Sequence, residues 1–203
     1  LKGMTARYLL RKTFRVKRSD VVVIHAAAGG VGQIAVQWAK HLGAVVIAVV
    51  GSDAKAEVAT ALGADHVIVQ ARDDIAKRVR EITNGEGAHV VYDGVGKDTF
   101  MASLDSLRPL GMMVSYGNAS GPVPPIAPLT LSQKGGLFLT RPTMGLYMPN
   151  AELLDETMDD LFAVIASGAV KIAPPTRYAL ADAAQAHRDL EARKTTGSLV
   201  LIP

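Results

Sequence analysis

The chain has 203 residues, of which 49% are hydrophobic and 20% charged, so it can bury a core and is too apolar for disorder. It contains no cysteine, which excludes disulfide bonds, thiolate nucleophiles and thiolate zinc sites. The net charge of +3 includes a basic cluster between Arg7 and Arg18, but a solvated helix face is preferred here over nucleic-acid binding. The lack of cysteine fits a cytoplasmic protein best, and the most apolar run, 44–50, is too short to span a membrane, so no membrane partner is expected.

Short apolar runs alternate with helical patterns from residue 21 onward. The apolar runs predict strands at 21–25, 44–50, 66–69, 88–93 and 110–117. The segments between them have the length and apolar spacing of helices, at 31–42, 53–62, 73–83 and 97–107. Because strands and helices alternate and the strands are nearly continuously apolar, the pattern predicts the α/β class, with a doubly wound Rossmann-type parallel sheet of about six strands and flanking helices.

The alternation ends after Gly117. The segment 117–130 holds four prolines and two glycines, which predicts a loop. Further elements are expected in this order: a sixth strand at 136–140, a helix at 151–166, a break at Pro174-Pro175, a helix at 181–193 and a last strand at 198–202. The pattern alone leaves open whether the C-terminal elements pack on the sheet or belong to another domain.

The turn between the first strand and the first helix contains no side chain larger than valine from Ala26 to Gly32. Small residues at this place let a phosphate approach the backbone N–H groups of a helix N-terminus. The G-x-G-x-x-G spacing falls on Ala27, Gly29 and Gly32, so the first glycine is replaced by alanine. Such a pattern also fits close packing of a helix on a strand, but its position favours binding of a dinucleotide pyrophosphate.

The residues after the second strand indicate which dinucleotide is bound. Folds that prefer NAD place an acidic residue there to bind the ribose 2′-hydroxyl. Here Gly51 and Ser52 follow the strand, and Ser52 and Lys55 could bind a 2′-phosphate, which predicts NADP(H). Asp53 is a rival ribose ligand, although we interpret it as a helix N-cap.

The other polar residues predict no metal site and no nucleophile–base set. The five histidines are scattered without a pair at metal-ligand spacing. Asp93 ends the fourth strand, where it either contacts the ribose or caps the following turn. Trp38 and the pair Met112-Met113 are interpreted as core residues.

Several longer segments are specific in combination: AAAGGVGQIAVQWAKHLGA, VVYDGVG, SYGNASG, LTRPT and GSLVLIP. With them the chain closely resembles the zinc-independent, zeta-crystallin-like quinone oxidoreductases of the medium-chain dehydrogenase/reductase superfamily. The resemblance implies reduction of a quinone by NADPH, and a GroES-like substrate domain that precedes this chain and is absent from it. The chain would then be a fragment, with 1–18 as an inter-domain helix, 19–149 as the Rossmann domain, and 150–203 as helices and a strand returning toward the substrate domain.

The resemblance also implies roles for single residues. The pyrophosphate would lie against Ala28, Gly29, Gly30 and Val31. The adenosine end would face Gly51 and Lys55, with Lys55 on the 2′-phosphate. Tyr116 and Asn118 would line the nicotinamide, and Arg193 would close over the cofactor.

The chain departs from the resembled pattern at two positions. Gln70 stands where relatives often place a tyrosine that helps bind the 2′-phosphate, and Gly94 stands where serine is common.

The strand near Gly136–Thr140 is expected to pair with the same strand of a second copy and so to form a homodimer. Two alternatives stay open: a 2-enoyl or enone reductase of the same superfamily, and a non-catalytic, crystallin-like NADPH-binding module.

Overall fold

The computed structural model describes residues 1–192 and 194–203, and within them six parallel strands form one sheet. The strands are β1 Val21–His25, β2 Val45–Val50, β3 His66–Val69, β4 Ala88–Asp93, β5 Leu107–Ser115 and β6 Phe138–Thr140. They lie in the order β3-β2-β1-β4-β5-β6, so the chain starts in the middle of the sheet and winds outward in both directions. The predicted doubly wound α/β sheet is confirmed, with its switch point between β1 and β4.

The central strands are buried on both faces, as their continuous apolar sequences predict. In β1, Val22 and Ile24 belong to the core on one face, whereas Val23 belongs to the core on the other. The helices that cover these faces or follow the sheet are α1 Lys2–Tyr8, α2 Gly30–His41, α3 Asp53–Ala61, α4 Ile75–Ile82, α5 Phe100–Asp105, α6 Pro128–Gln133, α7 Met144–Tyr147, α8 Ala151–Ala166 and α9 Ala183–Glu191. Trp38 and Met113 are fully enclosed, as predicted, while Met112 is half-buried.

The largest difference from the sequence prediction concerns α5 and β5. The helix expected at 97–107 is shorter because the residues after β4 fold into a turn around Asp93, and Thr99 is the N-cap of α5. Strand β5 begins at Leu107 instead of 110. A bulge between Leu107 and Met112, with Leu110 at φ +58°, accommodates Pro109, whose missing N–H would interrupt a regular ladder.

The segment predicted as a loop at 117–130 already contains the start of α6, because Pro128 takes the first helical position. Strand β6 starts later than expected, since Gly135 and Gly136 have φ values of +112° and +67°. The helix expected at 181–193 is a 3₁₀ turn, Leu180–Asp182, followed by α9.

One strand was not predicted from the sequence. Strand β7, Thr176–Ala179, pairs in parallel with the C-terminal strand β8, Leu199–Ile202, in a separate two-stranded sheet. The short polar sequence of β7 lacks the apolar alternation that identifies strands.

The helix expected at 1–18 ends earlier, since α1 continues only into a π-helical turn at Leu9–Thr13. Helix α8 packs on α1 and contributes Leu161 and Val164 to the core on that side. The Arg7 side chain is 2% exposed, and its guanidinium forms ion pairs with Glu156 and Asp160 of α8.

Among the described residues, no helix is both long and apolar enough to cross a membrane.

Candidate functional site

The turn after β1 is shaped by local backbone hydrogen bonds. Ala26 has φ +49°, a left-handed conformation that reverses the chain at the end of the strand. The Gly29 N–H donates to the Ala26 carbonyl over 2.8 Å, and the Ala27 N–H donates to Val49 of β2 over 3.2 Å. The turn is therefore fixed to the neighbouring strand before α2 begins.

Glycine is required at Gly32 for packing. A Cβ at this position would lie 2.4 Å from the Ala26 carbonyl oxygen and 2.7 Å from Ala27 Cα, both backbone atoms. At Gly29, a Cβ would meet only the Ala26 carbonyl oxygen, at 3.0 Å. The third glycine of the pattern thus serves helix–strand contact, while Gly29 and Gly30 place no side chain at the N-cap and the first residue of α2.

The N-terminus of α2 is open to an anion. Its N-cap is Gly29, no side chain accepts from its first N–H groups, and its first turn contains no acidic residue. A helix end of this kind presents unpaired donors and partial positive charge. The predicted residues Ala28, Gly29, Gly30 and Val31 lie together at this end.

Residues from both ends of the chain contact this turn. The Gly197 N–H donates to the Ala28 carbonyl over 3.0 Å, and Gly197 forms a parallel β-bridge with Gly29. The Lys2 ammonium donates to the Ser198 hydroxyl over 2.8 Å, and its side chain lies across Gly30, where a Cβ would come within 2.7 Å of Lys2 Nζ.

The turn from Ala26 to Gly32 is called the glycine turn below. A cavity of about 550 Å³ opens beside it, at the carboxyl ends of the strands. Six of the residues singled out from the sequence line it: Ala28, Gly29, Gly51, Ser52, Lys55 and Gln70. The lining is completed by residues that were not predicted from the sequence: Ala26, Val49, Val50, Ala71, Val95, Ala119, Leu190, Ala192 and Thr195. These residues are small or apolar and supply shape, which no sequence motif identifies.

The far end of the cavity is formed by the start of α3 and the end of β3. Ser52 is the N-cap of α3, so the interpretation of Asp53 as the N-cap is wrong by one residue. The Ser52 hydroxyl forms no capping hydrogen bond. Asp53 is instead the first helical residue, and its carboxylate forms an ion pair with Arg72. Gly51 has open space around it, because a Cβ there would meet no atom within 4 Å.

Asp93 is fully buried at the end of β4 and binds the protein itself. Its Oδ1 accepts from the Val95 and Gly96 N–H groups at 2.7 and 3.0 Å, and its Oδ2 accepts from Thr99 and Ser103 at 2.8 Å each. Four donors leave this carboxylate little capacity for a ribose. Of the two roles left open, the structure therefore supports capping of the turn, and this turn carries Val95 into the cavity.

His25 extends the hydrogen-bond network of Asp93. Because the carboxylate can only accept, the Ser103 hydroxyl donates to it and accepts from His25 Nε2 at 3.0 Å, which fixes the Nε2-protonated tautomer. His25 Nδ1 is buried without a hydrogen-bond partner among the described residues. Burial lowers the pKa of His25, so the ring is neutral at physiological pH.

Tyr116 and Asn118 follow β5 but do not line this cavity. The Tyr116 ring packs over Gly94, where a Cβ would lie 2.9 Å from Tyr116 Cζ, so glycine at this position makes room for the ring. Burial raises the pKa of Tyr116. Asn118 is exposed on the loop that brings Ala119 to the cavity. Arg193, the remaining predicted residue, lies outside the described residues.

No group of three or more His, Cys, Asp or Glu side chains within residues 1–192 and 194–203 is placed to hold a metal ion.

Comparison with known proteins gives consistent matches along the whole chain. The family model for zinc-binding dehydrogenases matches residues 30–163. A quinone oxidoreductase of Salmonella typhimurium is 53% identical over 205 aligned residues, and a 2-haloacrylate reductase of a Burkholderia species is 49% identical over 204. Both matches cover 100% of this chain, but only 63% and 61% of the respective relatives.

A solved structure of the Escherichia coli quinone oxidoreductase, complexed with NADPH, is 48% identical and superposes with a TM-score of 0.96. It covers 100% of this chain, which in turn covers 63% of that structure. The chain thus spans less than two thirds of the length of these relatives. The resemblance seen in the sequence is confirmed, and the chain belongs to the zinc-binding dehydrogenase family, as a quinone-oxidoreductase-like member of the medium-chain dehydrogenase/reductase superfamily.

Proposed function

We propose that this chain is the cofactor-binding portion of an NADPH-dependent quinone oxidoreductase. The observation that carries the proposal is one cavity, lined at one side by the glycine turn and at the other by Ser52, Lys55 and Gln70. The identity of about half of all residues to a quinone oxidoreductase supports the same reaction.

The residues present fit a dinucleotide phosphate. A pyrophosphate suits the N-terminus of α2, since Gly29 lines the cavity without a side chain and the first turn contains no acidic residue that would repel a phosphate. The side chain across Gly30 is that of Lys2, whose positive charge also favours an anion. At the other side of the cavity, Lys55 supplies an ammonium group for a 2′-phosphate, while Asp53 is engaged with Arg72. We assign Ala28, Gly29, Gly30 and Val31 to the pyrophosphate, and Gly51, Ser52 and Lys55 to the adenosine end.

Bound NADPH supplies the hydride, and this chain supplies orientation and exclusion of water. Val95 and Ala119 present apolar surface on the β4 side of the cavity. Asp93 holds the Val95 turn through two backbone bonds, so the position of this wall depends on a buried carboxylate. Tyr116, Asn118 and Arg193 are proposed to act at the nicotinamide and over the cofactor, as the family resemblance implies. That the reaction proceeds without zinc remains a prediction, supported by the lack of cysteine.

A second candidate is the reduction of an activated carbon–carbon double bond. It is favoured by one observation, the 49% identity to a 2-haloacrylate reductase. The cofactor residues would be the same, but carbon would be protonated after hydride delivery. The two reactions are distinguished by assaying the complete protein with a quinone and with a 2-haloacrylate.

We further propose a cytoplasmic homodimer that pairs through β6. This strand ends the sheet, and Phe138 and Leu139 are 57% and 39% exposed on it. An exposed apolar edge favours continuation of the sheet into a second copy. The β7–β8 pair is proposed to return toward a substrate domain, since Leu201 and Ile202 are exposed in it.

Titration with NADPH and NADH tests the cofactor assignment. NADPH is expected to bind more tightly, and Lys55→Glu is expected to weaken NADPH binding by about 1 to 3 kcal/mol through loss of a charge-assisted contact. Equal affinity of the wild type for both nucleotides would contradict NADPH preference. Failure to bind either would contradict the proposed function itself.

A further inference from the structure

The ion pair between Asp53 and Arg72 lies at the edge of the cavity that we assign to the adenosine end. Asp53 stands between Ser52 and Lys55, and both of these line the cavity. Arg72 follows Gln70 and Ala71, which line the cavity from the side of β3. A hydrogen bond from Arg72 Nη1 to Asp53 Oδ1 therefore places the guanidinium across the first turn of α3.

The two carboxylates near Arg72 have different roles. Asp73 lies 3.6 Å from Arg72 Nε, but its Oδ2 accepts from the Val69 N–H at 2.9 Å and is held in the turn after β3. Asp53 is 75% exposed and is not the cap of α3. Its ion pair with Arg72 thus occupies a carboxylate that borders the cavity through its chain neighbours Ser52 and Lys55.

We infer that Arg72 determines the cofactor preference of this chain, binding the 2′-phosphate of NADPH beside Lys55 and neutralising Asp53 as a ligand for the ribose of NADH. The inference rests on the proposed function, since it concerns the same cavity. Arginine suits the role because its planar guanidinium can bind a phosphate through two parallel hydrogen bonds.

The exposure of the pair makes the exchange of partners feasible. Arg72 is 59% and Asp53 75% exposed, and an ion pair in such a position stabilises a protein by at most about 1 kcal/mol. A phosphate with a charge of about −2 can therefore replace the single carboxylate. Arg72 also supplies the interaction that the uncharged Gln70 cannot provide at this end of the cavity.

The inference is tested by calorimetric titration of the complete protein with adenosine 2′,5′-bisphosphate and adenosine 5′-monophosphate, which differ only in the 2′-phosphate. Arg72→Met is expected to weaken binding of the bisphosphate by about 5- to 10-fold, the loss of one partly exposed charge-assisted contact. Binding of the monophosphate should stay the same or become tighter, because Asp53 is released. Asp53→Asn should change the ratio of the two affinities in the opposite direction.

Arg78→Met is the matched control. Arg78 is also exposed and paired with a carboxylate, that of Glu81, but it lies on α4 outside the cavity lining. The Arg78→Met substitution removes the same charge as Arg72→Met and should leave the ratio of the bisphosphate and monophosphate affinities unchanged. If Arg72→Met behaves like Arg78→Met while wild type binds NADPH, the role of Arg72 is refuted and the proposed function stands. If wild type binds neither NADPH nor NADH, both are refuted.

Discussion

Replacing Asp93 with asparagine should destabilise the protein although it changes the side chain by a single group. The Asp93 carboxylate is fully buried and accepts four hydrogen bonds, and no cation of the described chain pairs with it. The amide oxygen of asparagine can keep the two backbone bonds from Val95 and Gly96. The amide nitrogen, however, can only donate toward Thr99 and Ser103, whose hydroxyls must then turn away.

The magnitude follows from these contacts. Hydrogen bonds to a charged group contribute about 1.5 to 3 kcal/mol each and neutral ones about 0.5 to 1.5, so four bonds lose about 1 kcal/mol each. Part of this loss is offset because an amide is cheaper to bury than a carboxylate. We therefore expect Asp93→Asn to lower the free energy of unfolding by about 2 kcal/mol. Asp93→Ala, which removes the acceptor of all four hydrogen bonds, should cost about 4 kcal/mol or more.

Urea unfolding measures these differences, with the slope m unchanged if the folded state stays compact. A loss of 2 kcal/mol corresponds to a fall in Tm of about 4 to 8 °C for a chain of this size. A second readout is the tautomer of His25, because a reversed Ser103 hydroxyl donates to Nε2 and forces the proton onto Nδ1. Nitrogen-15 NMR of the ring would show it. Stability of Asp93→Asn within about 0.5 kcal/mol of wild type would refute the role of the carboxylate.

Four further predictions concern other parts of the molecule. Gly29→Val should abolish NADPH binding in calorimetry while the circular dichroism spectrum is retained, because a β-branched side chain would fill the approach to α2; retained binding would contradict the phosphate site. Leu139→Lys should shift the sedimentation coefficient from dimer to monomer, and a monomeric wild type at micromolar concentration would contradict the β6 interface. Stability should fall as the pH drops below about 6.5, by up to about 1.4 kcal/mol per pH unit for one histidine, because burial lowers the pKa of His25 in the folded state and the unfolded chain binds the proton first. His25→Gln should reduce this slope and leave the contribution of His89, whose pKa is also lowered by burial, and an unchanged slope would count against the role of His25. The isolated 203-residue chain should show little quinone reductase activity even where it binds NADPH, and turnover at the rate of the complete protein would show that no substrate domain is needed.

The sheet could be predicted from the sequence because its strands are buried on both faces. Runs such as VVVIH and VVIAVV are short and rich in β-branched residues, which favours strands covered on both faces, and the helices between them predict parallel order. The prediction failed where conformation depends on distant contacts. The bulge at Leu110 and the polar strand β7 are stabilised by pairing with β4 and β8, and their own residues do not favour those conformations.

The candidate site could be predicted only in part, for a related reason. Residues with a specific chemical task, such as Gly29 and Lys55, leave a pattern in the sequence. Ala119, Leu190 and Thr195 line the same cavity through loops and a helix far along the chain, and nothing in their type indicates this. The N-cap of α3 was predicted at Asp53, one residue after its position at Ser52. Both residue types are suitable N-caps, and only the backbone shows which one precedes the helix.

The glycine turn is held by residues that are synthesised almost 200 positions apart, as the bond between Lys2 and Ser198 and the bridge from Gly29 to Gly197 show. During translation, β1 and α2 can form long before residue 197 leaves the ribosome. Until then the carbonyl of Ala28 lacks one donor and the Lys2 side chain lacks its serine. The nucleotide site of a nascent chain is therefore completed only after residues 197 and 198 have been synthesised, so a ligand that requires the finished turn would not stabilise a shorter nascent chain.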